Sequence, residues 1–337
     1  MSLAPITPAA AALRAQVIGE AETALIGALA ELPEAKAATP QTAAAPAADP
    51  LKQAMDSART AAAGRQAGMG PLFADLARAQ SASGLPAALK AAIGQVLARQ
   101  IPLDAPLTAA VVEQAVARSG LFLEAHLAAA PPSEAPPPDL KAALLTLQRV
   151  LAAEPAPETA TPAPRVPPPV RGAALAAQAP APAALPPGAD LRAIVQHLAP
   201  QADQALARQV LHQLASAPEG PATAWLFELP VATPQGAALA QFEIARDSPE
   251  PGAADAAPSW QVRFAIDLEP LGPVQVHLRS DGARAAVTIW AERDEALARL
   301  RDEGGELARA LPADLTFRLG APKAAAPARG RFVDETS

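Results

Sequence analysis

The chain has 337 residues, a formal charge of −7, four histidines and no cysteine. Without cysteine there are no disulfides, thiolate metal sites or Cys nucleophiles, and because the lysines are scattered, no basic run could neutralise successive phosphates, so nucleic acid is not expected as a partner. Half of the residues count as hydrophobic, but the excess is alanine, whose methyl buries far less area than the Leu, Val or Phe side chains worth roughly 1.5 to 3 kcal/mol each when buried.

Two residue distributions divide the chain. Trp225, Trp260 and Trp290, all the tryptophan there is, and five of the seven phenylalanines (Phe227, Phe242, Phe264, Phe317, Phe332) follow residue 224, whereas 27 of the 39 prolines lie in the first 200 residues. Large rings dominate cores, and proline removes a donor and restricts the residue before it. The core is therefore expected in the last third.

Residues 1–153 read as an Ala-rich region, mostly disordered, with marginal helices. Leu13, Val17, Leu25 and Leu29 mark the first stripe, Leu89, Ile93, Val96 and Leu97 the next, then Val112, Val116, Leu123 and Leu127, and finally Leu140, Leu144, Leu147 and Leu151. Isolated helices of this length are barely stable in water because nucleation is costly. Gly64, Gly68 and Gly70 make no phosphate loop, since no Lys-Ser/Thr follows them. Prolines 131, 132, 136, 137 and 138 break the helices, and a Pro/Ala-rich linker follows at 154–188, with eleven prolines between 155 and 187. Such a composition favours extended polyproline II and separates what it joins. The uncharged stretch 172–189 carries only Leu175 and Leu185 as large apolar residues, far short of the roughly 20 apolar residues a membrane span needs, so no membrane insertion is expected.

Leu191, Ile194, Val195, Leu198, Leu206, Val210 and Leu214 give an accessory helical segment at 189–216, one helix or a pair turning at Pro200. After residue 224 the apolar period falls to two. Trp260, Val262, Phe264, Ile266 and Leu268 alternate with polar residues, Val274, Val276 and Leu278 do the same, and Ser280, Asp281 and Gly282 turn the chain into Ala285, Val287 and Ile289. Trp225 with Phe227, Phe242 with Ile244, and Leu315, Phe317 and Leu319 mark further strands. A helix bearing Leu297, Leu300, Leu307 and Leu311 opens with Asp294 and Glu295, which suit its N-terminal dipole, and Glu295 reaches Arg299 one turn on. Gly304 and Gly305 sit mid-helix, where each costs about 1 kcal/mol relative to Ala, so a kink or easy local unfolding is expected there. The fold class is α+β: a small, largely antiparallel sheet with one packed helix at the C-terminus, in a domain at 224–320 followed by a disordered tail at 321–337.

No catalytic grouping is legible. His126 and His277 stand alone, and His197 and His212 would lie roughly 22 Å apart on one continuous helix, too few and too far apart for a metal site. Asp267 and Glu269 share the wet face of a strand. No enzymatic activity and no cofactor are expected.

The run from Trp260 to Leu278, the strand through Val287 and Trp290, and the Leu297/Leu300/Leu307/Leu311 helix together resemble the C-terminal domain of the flagellar hook-length control protein family, over about 100 residues. The turn Pro270, Leu271, Gly272, Pro273 and Val274 sets the register of two strands, since the prolines fix φ around Leu271 and Gly272 permits a conformation other residues resist; the same five residues are candidates for partner contact. The family commonly closes the helix with Gly, where this chain has Pro312, Ala313 and Asp314. The resemblance implies a non-enzymatic protein, cytoplasmic before export and then secreted through the flagellar type III apparatus, that senses hook length. It further implies that the C-terminal domain, as a monomer, binds the cytoplasmic domain of the export gate protein and switches export from hook-type to filament-type substrates, with hook or hook-cap proteins as further partners. The uncharged segment 1–8 is consistent with an uncleaved export signal. The other reading of the residues is a Pro/Ala-rich structural spacer or adaptor of the cell envelope.

Overall fold

The computed structural model describes residues 50–103, 108–129, 138–154, 166–218, 223–246, 259–281, 284–310 and 313–322. The stripe Leu13, Val17, Leu25, Leu29, the segment 1–8, Leu311 and Phe332 lie outside them, as do prolines 131, 132, 136 and 137. The elements, in chain order, are α1 (Pro50–Arg65), α2 (Gly70–Gln80), α3 (Ala87–Leu97), β1 (Ile101–Pro102), α4 (Ala109–Ala117), α5 (Leu123–Ala129), α6 (Leu140–Ala152), α7 (Leu191–Ser216), β2 (Thr223–Thr233), β3 (Gly236–Arg246), β4 (Trp260–Leu268), β5 (Gly272–Ser280), β6 (Ala285–Ala291), α8 (Asp294–Ala310) and β7 (Ala313–Leu319). The described parts of the chain divide into two compact units. One draws on Met1–Pro168, Pro180–Leu214 and Leu229–Ala237, the other on Pro169–Ala179, Ala215–Glu228 and Ala238–Ser337.

The helical unit corrects the expectation of marginal helices. Leu89, Ile93 and Val96 on α3 are fully buried, as are Leu140, Leu144, Leu147 and Leu151 on α6, and α3 packs on both α6 and α2. The stripes on α3 and α6 are buried as predicted, and what composition hid is that they meet; of the Val112/Val116/Leu123/Leu127 stripe only Leu123 and Leu127 are buried, while Val112 is 40% exposed. Alanine between the leucines lets the helices approach, and Met69, Leu72, Phe73 and Leu76 of the unpredicted α2 region fill the space. The stripe through Val112 and Leu127 belongs to two helices, because Gly120 at φ +101° turns the chain between α4 and α5. Asp139 starts α6 as its N-cap, accepting from Lys141 N at 2.8 Å and Ala142 N at 3.2 Å, and it also accepts from Gly120 N at 3.1 Å. Helix α7 runs unbroken through Pro200 and buries Ile194, Val195, Leu198 and Leu211, so it is a core element of this unit, with Ala207 and Leu211 packed on Ala62 of α1. His197 and His212 consequently lie on one helix.

The strands follow sheet order β1-β2-β3-β4-β5-β6-β7, a larger sheet than expected. It is antiparallel from β3 to β6, while β7 runs parallel to β6 and the two-residue β1 parallel to β2. The packed helix is not the C-terminal element: α8 is the crossover that the parallel β6–β7 pair requires, and β7 follows it. Period two places one apolar row across the sheet, since Phe242 pairs with Phe264, Phe264 with Val276, Val276 with Ile289 and Ile289 with Phe317. Phe227, Phe242 and Phe264 stack with centroids 5.3 Å apart at each step, and Trp225 stacks on Trp260 at 6.0 Å. Toward β7 the row is covered by α8, with Val274, Val287 and Ile289 buried against Leu300, Leu315 and Phe317. Gly304 has a packing reason, because a Cβ there would lie 2.6 Å from Phe317 Cζ, whereas Gly305 has nothing within 4 Å. On α8 Arg299 pairs with Glu303 at 3.1 Å, one turn later than the expected Glu295 pairing.

Candidate functional site

The five residues singled out at the β4–β5 connection are brought together, and they divide by direction. The antiparallel register closes on Ile266–Val274, Asp267–Pro273 and Leu268–Gly272 pairs, leaving Glu269, Pro270 and Leu271 as the turn. Leu271 tucks inward against the clusters around Val274, Ile289, Ala291 and Leu297. Val274 is buried, Gly272 is buried at φ +72°, Pro273 is half-buried and Pro270 is exposed after a cis Glu269–Pro270 bond. The turn is thus a plug on its inner side and a surface at Glu269 and Pro270.

Its clamp was missed from sequence. Arg293, between β6 and α8, donates from Nη1 to Glu269 Oε2 at 3.0 Å, from Nη2 to Glu269 Oε1 at 3.0 Å, and from Nη1 to the Pro270 carbonyl at 3.1 Å. The planar fork matches a carboxylate with two parallel bonds, which a lysine could not do. The guanidinium crosses directly over Gly272, where any Cβ would sit 2.6 Å from Nε. Gly272 therefore serves twice, for a left-handed φ and for this close approach. The only sequence signal was the lone Arg at the β6–α8 junction, 24 residues from its partner.

The electrostatics follow from the clamp. Arg293 holds the Glu269 carboxyl below the usual range through its hydrogen bonds and its charge, and Glu269 in turn raises the Arg293 guanidinium. Burial, then the neighbouring Glu269 charge, pushes Asp267 the other way, upward. His277 packs on Trp290 with centroids 4.6 Å apart, and burial with Arg263 and Arg279 nearby lowers its pKa. Among the described residues no group of three or more His, Cys, Asp or Glu could hold a metal ion, and no helix is long and apolar enough to cross a membrane. The arrangement presents a half-exposed ion pair on the outer side of the turn.

No curated protein and no solved structure matches the chain. Residues 250–316 match the family model described as Flagellar hook-length control protein FliK, a stretch that takes in β4, the clamped turn, β5, β6 and α8 and ends within β7. Over that stretch, about a fifth of the chain, the sequence is similar to the flagellar hook-length control protein family.

Proposed function

We propose that the chain is an exported flagellar hook-length control protein, whose sheet unit binds the cytoplasmic domain of the flagellar export gate and switches export from hook-type to filament-type substrates. The observation that carries this reading is the family match over 250–316, which falls on the folded β4–β7 region and includes the clamped turn. Pro270 and the Glu269–Arg293 pair give that turn an exposed face, with Leu271, Gly272, Pro273 and Val274 holding it in place. The action is one of binding, with no bond made or broken, and the protein works as a monomer that also meets hook or hook-cap proteins on its way out.

Length sensing fits the N-terminal part only if its helices come apart for passage, since 188 extended residues reach on the order of 600 Å at roughly 3.3 Å each. Deleting residues 224–320 is expected to give over-long hooks without filaments, and normal filaments in that mutant would overturn the proposal. In a pull-down on the gate's cytoplasmic domain, the full chain is captured and the Pro270→Ser/Arg293→Ala variant is retained at least tenfold less.

A further inference from the structure

Several buried polar side chains away from the β4–β5 turn hold the proline-rich segment, most of them by its backbone. In the helical unit Gln66 donates to the Val166 carbonyl, Arg208 Nη1 donates to the Pro167 carbonyl at 3.1 Å, and fully buried Asp75 accepts from Leu185 N at 2.8 Å. In the sheet unit Glu243 accepts from Gly172 N at 3.2 and 3.3 Å, Gln241 Oε1 accepts from Ala176 N at 2.8 Å, and Gln178 Nε2 donates to Glu228 Oε1 at 2.8 Å. Glu228, Gln241 and Glu243 are 0%, 6% and 5% exposed. Burying such groups is costly unless they are hydrogen-bonded, and the strap supplies part of what they need.

The strap also takes a vacant sheet edge. Pairing of β3 with β4 begins at Gln241 and Ala265. Two residues earlier, at Leu239, the backbone of Gln178 takes the edge, with Gln178 N donating to Leu239 O at 3.4 Å and Leu239 N donating to Gln178 O at 3.0 Å. The contact is a single antiparallel bridge, the element from which strand addition of a peptide is built, with main-chain bonds giving affinity.

We propose that β2 and β3 form a docking groove for an extended Ala/Pro-rich peptide backbone, that Pro169–Ala179 occupies it in cis, and that this strap detaches when the chain N-terminal to it is drawn away. The groove reads main chain, so its specificity is for extended conformation and small side chains. Of the eleven strap residues only Pro169 and Leu175 are buried, while Val170 and most of the alanines are exposed. Two anchors against eleven ordered residues make a contact that opens before the sheet does. Arg171 adds a third fastening, donating from Nη2 to the Ala215 and Ala217 carbonyls at 3.2 and 2.7 Å, at the end of α7.

The test uses the full chain carrying Leu175→Ser and Arg171→Ala, titrated into a fluorescein-labelled peptide of residues 166–180 and read by anisotropy. The variant is expected to bind the peptide at least tenfold tighter than the wild-type chain, whose groove is already filled, and adding Gln241→Ala and Glu243→Gln abolishes the capture. Equal affinity of variant and wild type, or capture undiminished by the groove changes, overturns the proposal. So does loss of folded far-UV circular dichroism in the strap variant, which would make the strap a structural strand. In the wild-type chain, the amides of Gly172 and Ala176 are expected to exchange with deuterium at least tenfold faster than those of Phe264 and Val276; equal protection overturns the detachment. No export apparatus enters these measurements, so their failure leaves the hook-length reading intact.

Discussion

Gly304 and Gly305 are adjacent, chemically identical and both inside α8, yet alanine should act on them with opposite sign. In an open helical position Gly→Ala gains about 1 kcal/mol. Gly305 is such a position, with nothing within 4 Å of a built Cβ, so Gly305→Ala is expected to stabilise by up to about 1 kcal/mol. At Gly304 the same methyl would lie 2.6 Å from Phe317 Cζ and 3.1 Å from Cε2. Phe317 cannot swing away cheaply, since it packs against both the Val287/Ile289 and the Ala291/Leu297 clusters. Overpacking of this kind costs roughly 1 to 3 kcal/mol, and subtracting the propensity gain leaves Gly304→Ala destabilising by about 1 kcal/mol. Urea unfolding of the two single variants followed by near-UV circular dichroism reads the difference, expected to be about 2 kcal/mol between them. If both alanines stabilise equally, α8 does not approach β7 through a glycine contact and the packing argument fails. Phe317→Leu combined with Gly304→Ala should recover part of the loss, because the clash is with the ring's far edge.

The other perturbations test separate parts of the molecule. Burial pushes the Asp139 carboxyl up to about 6, above its ordinary 3.8; the native state then binds a proton that the unfolded chain releases, so stability present below about pH 4 is lost as pH rises through about 6, by about 2 to 3 kcal/mol, and comparing urea unfolding at pH 4.5 and 7.5 should show a flatter dependence in Asp139→Asn. Phe264→Ala removes a half-buried ring stacked on Phe242 and is expected to cost about 2 to 3 kcal/mol, somewhat below a fully buried Phe; an unchanged melting curve would place Phe264 outside the core. Arg293→Ala should let the Glu269 carboxyl rise toward its ordinary pKa in a carbon-detected NMR titration, and Arg293→Lys should restore the charge without restoring the two-point grip; a Glu269 titration unmoved by either change would remove the clamp. The sign is that of a depressed carboxyl, whose contribution is present above its ordinary pKa and lost as pH falls through the lowered one.

How much of this was legible in the sequence depends on whether the controlling contact is local. Strands β4 to β7 announce themselves because their period of two needs only neighbours, and the pairing of Phe264 with Val276 follows once the turn at Gly272 is placed. Stripes on α3 and α6 are equally local. That those stripes meet in a core is not, and an alanine-rich composition argued against it, although Leu89, Ile93, Leu144 and Leu147 are all fully buried. The two-residue β1 carries no periodic signal at all. The Arg293 clamp and the Gly304 contact depend on partners 24 and 13 residues away, and no spacing rule connects them.

The proline tract shows why composition misled. Read locally, residues 166–188 cannot form a helix or a central strand, and a linker is the natural reading. An extended segment nevertheless presents unpaired backbone N–H and C=O groups, and those need partners if the segment is to lie against a fold. The complementary groups sit far away, in polar residues that the fold buries: Asp75 among the apolar residues of α2, and Glu228, Gln241 and Glu243, which alternation places on the strand faces opposite Phe227 and Phe242 and which are buried all the same. Each is buried, and each bonds to the proline-rich segment: Asp75, Gln241 and Glu243 to its backbone, Glu228 to the side chain of Gln178. A buried polar residue is therefore a demand for a partner. Where a chain also contains a long extended stretch with its own unmet backbone groups, the two deficits are reason to look for one contact.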